Sequence, residues 1–343
     1  MPSRRARRRA RPAVRRPRLR AALAAAVLVC GTAAVGTLYV TARTQDGGGA
    51  AVSSAAAPVS PSASVSSVPG ADAVAEKDSE KDSAGGSVEK VAAPGADHDA
   101  RLATALAEVP VEDGAAFSVA VLDMESGATA VHGDGLFETA SIVKVDILAA
   151  LLLRAQDADR ALTAREKAYA ATMIRDSDNT AATALWEAIG RAQGLDAANE
   201  RFGLTRTEGG DGLYWGLTRT TAADQLVLLG QVFGDDDESE LNAASRTYVR
   251  RLMGQIAAGQ DWGVSAAAAD GSAGSSTGAG FALKNGWLPR TATGLWVINS
   301  IGRVTVDGRD RLVAVVSHGN TTKAKGIALV EAAARAGVSV FSS

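Results

Sequence analysis

The stretch ETASIVKVDILAALLL, Glu138 to Leu153, is the strongest constraint on what this 343-residue chain can fold into. Its apolar residues are nearly unbroken, so a helix formed here has no solvent face and must sit inside a core. Ser141 and Lys144 are set into its first turn. Three residues apart, they share one helix face, while Ile142, Val143, Val145, Ile147 and Leu148 occupy the rest. A lysine among so many apolar neighbours must be paired or give up its charge. A neutral amine beside a hydroxyl is a base beside a nucleophile, and the helix N-terminus favours negative charge on that oxygen. Taken alone, S-x-x-K arises readily by chance, and a surface lysine on a partly buried helix is the bland alternative.

The chain is unevenly built. Its first twenty residues hold ten arginines, Arg4, Arg5, Arg7, Arg8, Arg9, Arg11, Arg15, Arg16, Arg18 and Arg20, and no acid, although the net charge of the whole is -2. Such an arm can hold nucleic acid. Here, however, Ala21 to Val40 follows without a single charge, long enough to cross a hydrocarbon layer. Arginines before such a span keep the N-terminus in the cytoplasm and send the rest across. Residues 1–20 are therefore expected to be a basic cytoplasmic arm with no nucleic-acid partner, and residues 21–40 a transmembrane anchor or signal segment. The span exceeds a usual signal h-region of about 7 to 15 residues, which favours a retained anchor with the domain outside the cell membrane. Cleavage near VTAR, Val40 to Arg43, would instead give a secreted protein. VRRPRLR, Val14 to Arg20, faintly resembles a twin-arginine export signal. The single cysteine, Cys30, lies within the span as an apolar filler, so the exported part has no internal disulfide and depends on its core.

Residues 41–99 are rich in Gly, Ala, Ser, Pro and Val, with EKDSEKDS near the end, and read as a disordered linker. A flexible segment of roughly 55 residues spans about 40 Å. The globular part is expected over residues 100–343, as one monomeric domain without internal repeats. DARLATALAEV has helical spacing, and FSVAVLDMESG with ATAVHGDG reads as a hairpin turning at Glu125, Ser126 and Gly127. Helical runs follow near Arg165 to Ile174, Thr180 to Arg191 and Ala222 to Phe233. GFALKNGW, GLWVINSIGRV and RLVAVVSHG read as strands, and TTKAKGIALVEAAARAG as a closing amphipathic helix. Strands at both ends with helices between predict an α+β fold: one antiparallel sheet assembled from distant parts of the chain, flanked by helices and a helical region.

Two further elements give Lys144 a context. MIRDSDNTAATALW places Ser177, Asp178 and Asn179 in a turn between helical runs, and ALKNGW places Lys284, Asn285 and Gly286 in a strand. Alone, the first is an ordinary turn or cap and the second an edge-strand charge. Together, in the order S-x-x-K, S-D-N, K-x-G, they resemble the penicillin-recognising serine hydrolases, above all the class A β-lactamases. The resemblance covers the globular domain, including TTAADQL at Thr220 to Leu226, but neither arm nor linker.

The resemblance implies a β-lactamase/transpeptidase-like fold and a role for each matched residue. Ser141 would attack the carbonyl, with Lys144 as its base or as part of the proton path. Ser177 would relay a proton to the leaving nitrogen, and Asn179 would hold Lys144 and the substrate amide. Lys284 would lower the pKa of Lys144 and draw the substrate carboxylate. Gly286 would let substrate lie against the strand, and the backbone N–H groups of Ser141 and Trp287 would form the oxyanion hole. No cofactor is implied. His98, His132 and His318 have no neighbours that suggest a rival triad, and no pair of ligands has zinc spacing, so no metal is expected.

The departures matter as much. Ser141 and Ser177 are 36 positions apart, shorter than in class A, which implies a reduced helical region and an open cleft. LTRTEGGDGLYWGLTRTT lacks the E-x-x-x-N pattern that supplies the deacylating glutamate in that class. Asp211, then Glu208, fall nearest the place, in a loop that Gly209, Gly210 and Gly212 would make flexible. Asn285 stands where Thr or Ser is usual, keeping a donor for a carboxylate. Thr293 stands where a carboxylate-binding arginine is common, with Arg290 as its substitute. The sequence therefore predicts an exported serine hydrolase acting through an acyl-enzyme on β-lactams or D-alanyl-type peptides of the cell wall, slow in deacylation. The alternative is a cell-wall ligand-binding or penicillin-binding domain with little or no turnover.

Overall fold

The computed structural model describes residues 96–268 and 280–341. The basic arm, the apolar span and the linker up to residue 95 lie outside the described residues. Among the described residues no helix is long and apolar enough to cross a membrane. The domain starts a little before its expected limit: helix α1, Ala96–Leu106, takes in His98, which was expected in the linker.

The chain then forms strands β1, Ala116–Asp123, and β2, Thr129–His132, around the foreseen turn, and a two-residue strand β3, Phe137–Glu138. A short 3-10 turn, Ala140–Ile142, leads directly into α2, Val143–Asp157. Helices α3, Ala164–Arg175, α4, Asn179–Ile189, and α5, Arg191–Phe202, come next. Strand β4, Arg219–Thr220, pairs with β3. Helices α6, Ala222–Phe233, and α7, Ala243–Met253, complete the helical middle. Three long strands follow, β5, Phe281–Pro289, β6, Trp296–Val306, and β7, Arg309–Asn320, and α8, Lys323–Ser339, closes the chain.

Helix starts are written in the sequence. Thr163 and Glu166 form a capping box at α3, Asp178 accepts from the Ala181 amide at α4, and Thr221 and Thr322 cap α6 and α8. Helices α5 and α7 were not foreseen. Gly190, with φ of 98°, ends α4 and starts α5 in a single residue, so the expected run ending at Arg191 continues as a second helix after a sharp turn.

The sheet is antiparallel in the order β2-β1-β7-β6-β5. Pairing of β1 with β7, Ala116 opposite His318 and Asp123 opposite Arg311, joins the two ends of the domain as the sequence predicts. Alternation along β7 serves two cores. Leu312, Ala314 and Val316 face the core built around α2, while Val313 and Val315 face the core that includes Leu102 of α1 and Val330 of α8. Every residue of α2 from Val143 to Leu153 is buried, Lys144 included. The helix is thus central, as its composition demanded. Strand β5 is left as a sheet edge, and it is this edge that meets the start of α2.

Candidate active site

The 3-10 turn carrying Ser141 is wedged against β5. A Cβ added at Gly286 would lie 2.7 Å from the Thr139 carbonyl oxygen, 2.8 Å from the Ser141 nitrogen and 2.9 Å from the Ile142 nitrogen. Only glycine lets the two segments approach this closely. Gly286 therefore has a packing reason that the sequence reading, which gave it to substrate, did not supply. The expected oxyanion donors, the amides of Ser141 and Trp287, belong to the two segments that meet here.

Opposite Gly286 on β6 is Asn299, fully buried. Its amide nitrogen donates to the carbonyls of Glu138 and Thr139 at 2.8 and 2.9 Å, and its Oδ1 accepts from the Ser317 amide at 2.9 Å. Asn299 thus ties the backbone before the serine to the sheet. Its only sequence signal was a polar residue in the apolar strand WVINSIG. The serine's immediate predecessor, Ala140, has φ of +48°, and Ser177 has φ of +56°, left-handed conformations that non-glycine residues hold only where surroundings enforce them.

Lys144 reaches across from α2 to the turn before α4. Its Nζ donates to the Ser177 carbonyl at 2.6 Å and to Asn179 Oδ1 at 2.8 Å, and lies 3.1 Å from Ser177 Oγ. Lys284, on β5, contacts the same hydroxyl at 3.0 Å and donates to the Asn285 carbonyl at 2.8 Å. Burial pushes the Lys144 ammonium down to about 6, and the charge of Lys284 adds to the effect while Asp178 opposes it. Burial alone holds Lys284 at about 7. When neutral, Lys144 has two N–H bonds, which the Ser177 carbonyl and Asn179 Oδ1 occupy. Its lone pair is then free for a hydroxyl proton.

The remaining expected residues fall in different places. Asn285 is buried, and both its N–H bonds are spent at 2.8 Å on the carbonyls of Gln260 and Trp262, so it offers no donor to a carboxylate. It follows Lys284 on the strand and so takes the other face. Arg290, in the turn after β5, sits at the rim with Nη2 3.6 Å from Glu138 Oε1.

Glu208 and Asp211 are both exposed, Glu208 held by paired backbone bonds to Arg219 at 2.9 Å. The loop is not slack. The Gly209 amide donates to Asp196 at 2.8 Å, the Gly210 amide to Thr218 at 3.1 Å, and buried Trp186 donates to the Gly212 carbonyl at 2.8 Å. What the loop lays over the lysine is an indole. Trp215 places its ring centroid 4.8 Å from Lys144 Nζ and anchors its own N–H on Thr183 at 3.1 Å. Trp215 carries no sequence signal of its own, because an aromatic in a glycine-rich loop belongs to no motif.

A family model described as "Beta-lactamase enzyme family" matches residues 165–341, just over half of the chain. The chain belongs to the beta-lactamase enzyme family. Solved structures of similar fold include PBP-A, at 19% identity and a TM-score of 0.58 over 71% of this chain and 96% of that one. The TLA-1 extended-spectrum β-lactamase matches at 13% identity with a TM-score of 0.60, covering 73% of this chain and 100% of the other. A β-lactamase from Chitinophaga pinensis matches at 16% and 0.57, over 70% and 97%. PBP-A is also known as a point mutant in its acyl-enzyme complex with penicillin G. No curated protein sequence matches significantly. At these identities the structural likeness establishes the β-lactamase/transpeptidase-like fold, as the sequence motifs implied, and the family membership rests on the family model.

Proposed function

We propose that this member of the beta-lactamase enzyme family is an exported, membrane-tethered serine hydrolase that opens β-lactams or D-alanyl-type peptides through an acyl-enzyme on Ser141. The observation that carries this reading is the buried pair Lys144 and Lys284 sharing the Ser177 hydroxyl. Neutral Lys144 takes the Ser141 hydroxyl proton as Oγ bonds to the substrate carbonyl carbon. The amides of Ser141 and Trp287 receive the oxyanion. As the C–N bond breaks, Ser177 gives its proton to the leaving nitrogen and regains one from Lys144. Lys284, still charged, attracts the substrate carboxylate and steadies Ser177. Arg290 reaches that carboxylate from the rim by leaving Glu138.

Deacylation is the slow step in this scheme, because Trp215 covers Lys144 where a water and its base would be needed. That same ring supports a second reading, a penicillin-binding domain with little or no turnover. Incubating the full-length protein with penicillin and following intact mass distinguishes the outcomes. A lasting adduct that Ser141→Ala abolishes establishes acylation on that serine: it supports the first reading if product appears as a burst followed by a slow phase, and the second if no product accumulates. Absence of both adduct and product would overturn the enzyme in favour of a binding domain.

A further inference from the structure

Asn299 is a buried polar residue that the proposed chemistry does not use. On β6 it lies opposite Gly286 of β5 and Val316 of β7, and no part of it reaches solvent. Both its N–H bonds are taken by the carbonyls of Glu138 and Thr139, and its Oδ1 accepts from the Ser317 amide. With its donors spent, Asn299 acts only through what it holds.

What it holds is the approach to Ser141. Glu138 and Thr139 supply the last two carbonyls before Ala140, whose φ of +48° persists only where the surroundings enforce it. The flanking backbone is fixed on further sides. Thr139 donates its amide to the Thr218 carbonyl at 2.8 Å, and its own carbonyl oxygen lies over Gly286, where a Cβ would come within 2.7 Å. The anchor is itself braced. Ser317 Oγ donates to the Ile298 carbonyl at 2.6 Å, and Asn320 Nδ2 donates to Ser317 Oγ and to the Trp296 carbonyl, each at 3.1 Å. Asn299, Ser317 and Asn320 are all buried, at the place where β6 and β7 shift register between Trp296 and Ile298.

We propose that Asn299 is a positioning residue for acylation, a role that rests on Ser141 being the nucleophile. By fixing the Glu138 and Thr139 carbonyls it holds the left-handed turn at Ala140, and so aims the Ser141 hydroxyl and amide at the substrate carbonyl. The oxyanion that this amide receives exists only once attack has begun, so loss of Asn299 falls on the chemical step rather than on binding. A misplacement of about 1 Å costs on the order of 10² in rate.

The test is covalent labelling of the full-length protein by a fluorescent penicillin over a range of concentrations, which separates the limiting rate constant from the half-saturating concentration. In Asn299→Ala the rate constant should fall about ten- to a hundred-fold, with the half-saturating concentration within about threefold of wild type. Unfolded molecules take no label, so a merely structural role lowers the labelled fraction and leaves the rate constant of the folded remainder in place. Asn299→Asp has the same shape, keeps an acceptor for the Ser317 amide and removes both donors at neutral pH. It should show at least as large a fall, and it carries the test if Asn299→Ala does not fold. Val313→Ala, which loosens the core around α1 and α8, is a destabilised control whose rate constant should match wild type. A labelled wild type with the rate constant unchanged in the Asn299 variants, or a loss confined to the labelled fraction, would overturn the role of Asn299 and leave Ser141 in place. A wild type that takes no label on Ser141 would overturn both.

Discussion

Lys144 and Lys284 are joined through one hydroxyl, Ser177 Oγ lying 3.1 Å from the first ammonium nitrogen and 3.0 Å from the second. A hydroxyl has a single proton to give, so a proton passes along this line only if one amine is neutral and can accept it. The lower value, about 6, belongs to Lys144 and the higher, about 7, to Lys284. Burial and mutual repulsion therefore favour one charge rather than two on this pair near neutral pH, and the proposed reaction uses the state in which Lys144 is the neutral amine.

Acylation should follow a bell-shaped pH profile. It rises as Lys144 loses its proton through about pH 6 and falls as Lys284 loses its charge above about pH 7. Lys284→Ala removes a charge that lowers the Lys144 value, so the acid limb should move to higher pH. Labelling rates between pH 4.5 and 9 measure this, and a profile flat across that range would contradict it.

Lys144→Met should separate activity from stability. General-base assistance is worth roughly 10² to 10⁴ in rate, so acylation should fall by that order. The folded Lys144 value is depressed below the ordinary 10.5, so its contribution to stability is present above pH 10.5 and lost as pH falls through about 6. Near pH 7 the native state bears most of that loss. Replacing the amine with an apolar side chain should then raise stability by about 1–2 kcal/mol. Thermal unfolding that is unchanged or lowered would mean the buried amine costs the fold nothing.

Asp146 predicts the opposite pH trend. It is fully buried on α2, and burial, with Asp196 and Asp224 nearby, raises its carboxyl to about 8 against the hydrogen bond from Asn199. The Asn199 amide nitrogen, turned to the carboxyl, meets its two oxygens at 2.9 and 3.2 Å. A raised carboxyl contributes stability that is fully present below its ordinary 3.8 and lost as pH rises through about 8. Asp146→Asn should flatten this part of the stability profile between pH 5 and 8. Urea unfolding at several pH values would show it, and a variant curve parallel to wild type would refute it.

These assignments divide by how local their cause is. That Lys144, Ser177, Asn179 and Lys284 come together was legible because each lies in a short motif, and the fold brings these four side chains within hydrogen-bond reach around Ser177. The sheet was legible because β5, β6 and β7 are long and apolar. Asn285 and Gly286 were placed on the right strand, but what their side chains meet depends on Gln260, Trp262 and Thr139, which no local pattern connects to them. Asn299 and Trp215 act wholly through tertiary contacts. Helix α5 was hidden because one glycine both ends and begins a helix.

Trp215 carries the last prediction. Its ring stands 4.8 Å from Lys144 Nζ, whereas Asp211 and Glu208, the nearest sequence candidates for a deacylating base, point into solvent. Neither Asp211→Asn nor Glu208→Gln should then change the lifetime of the acyl-enzyme, and wild type should show a burst followed by a slow phase. Trp215→Ala has two opposed effects on Lys144. Losing the ring's attraction for a cation, worth about 0.5–2 kcal/mol, lowers the pKa, while admitting water raises it. Burial is the leading cause of the depression, so the second effect wins and the acid limb of acylation should move up in pH. The admitted water should also shorten the burst intermediate, since the Lys144 amine becomes a base that solvent can reach. If the acid limb stays in place and the adduct persists unchanged, Trp215 neither dries Lys144 nor guards the ester.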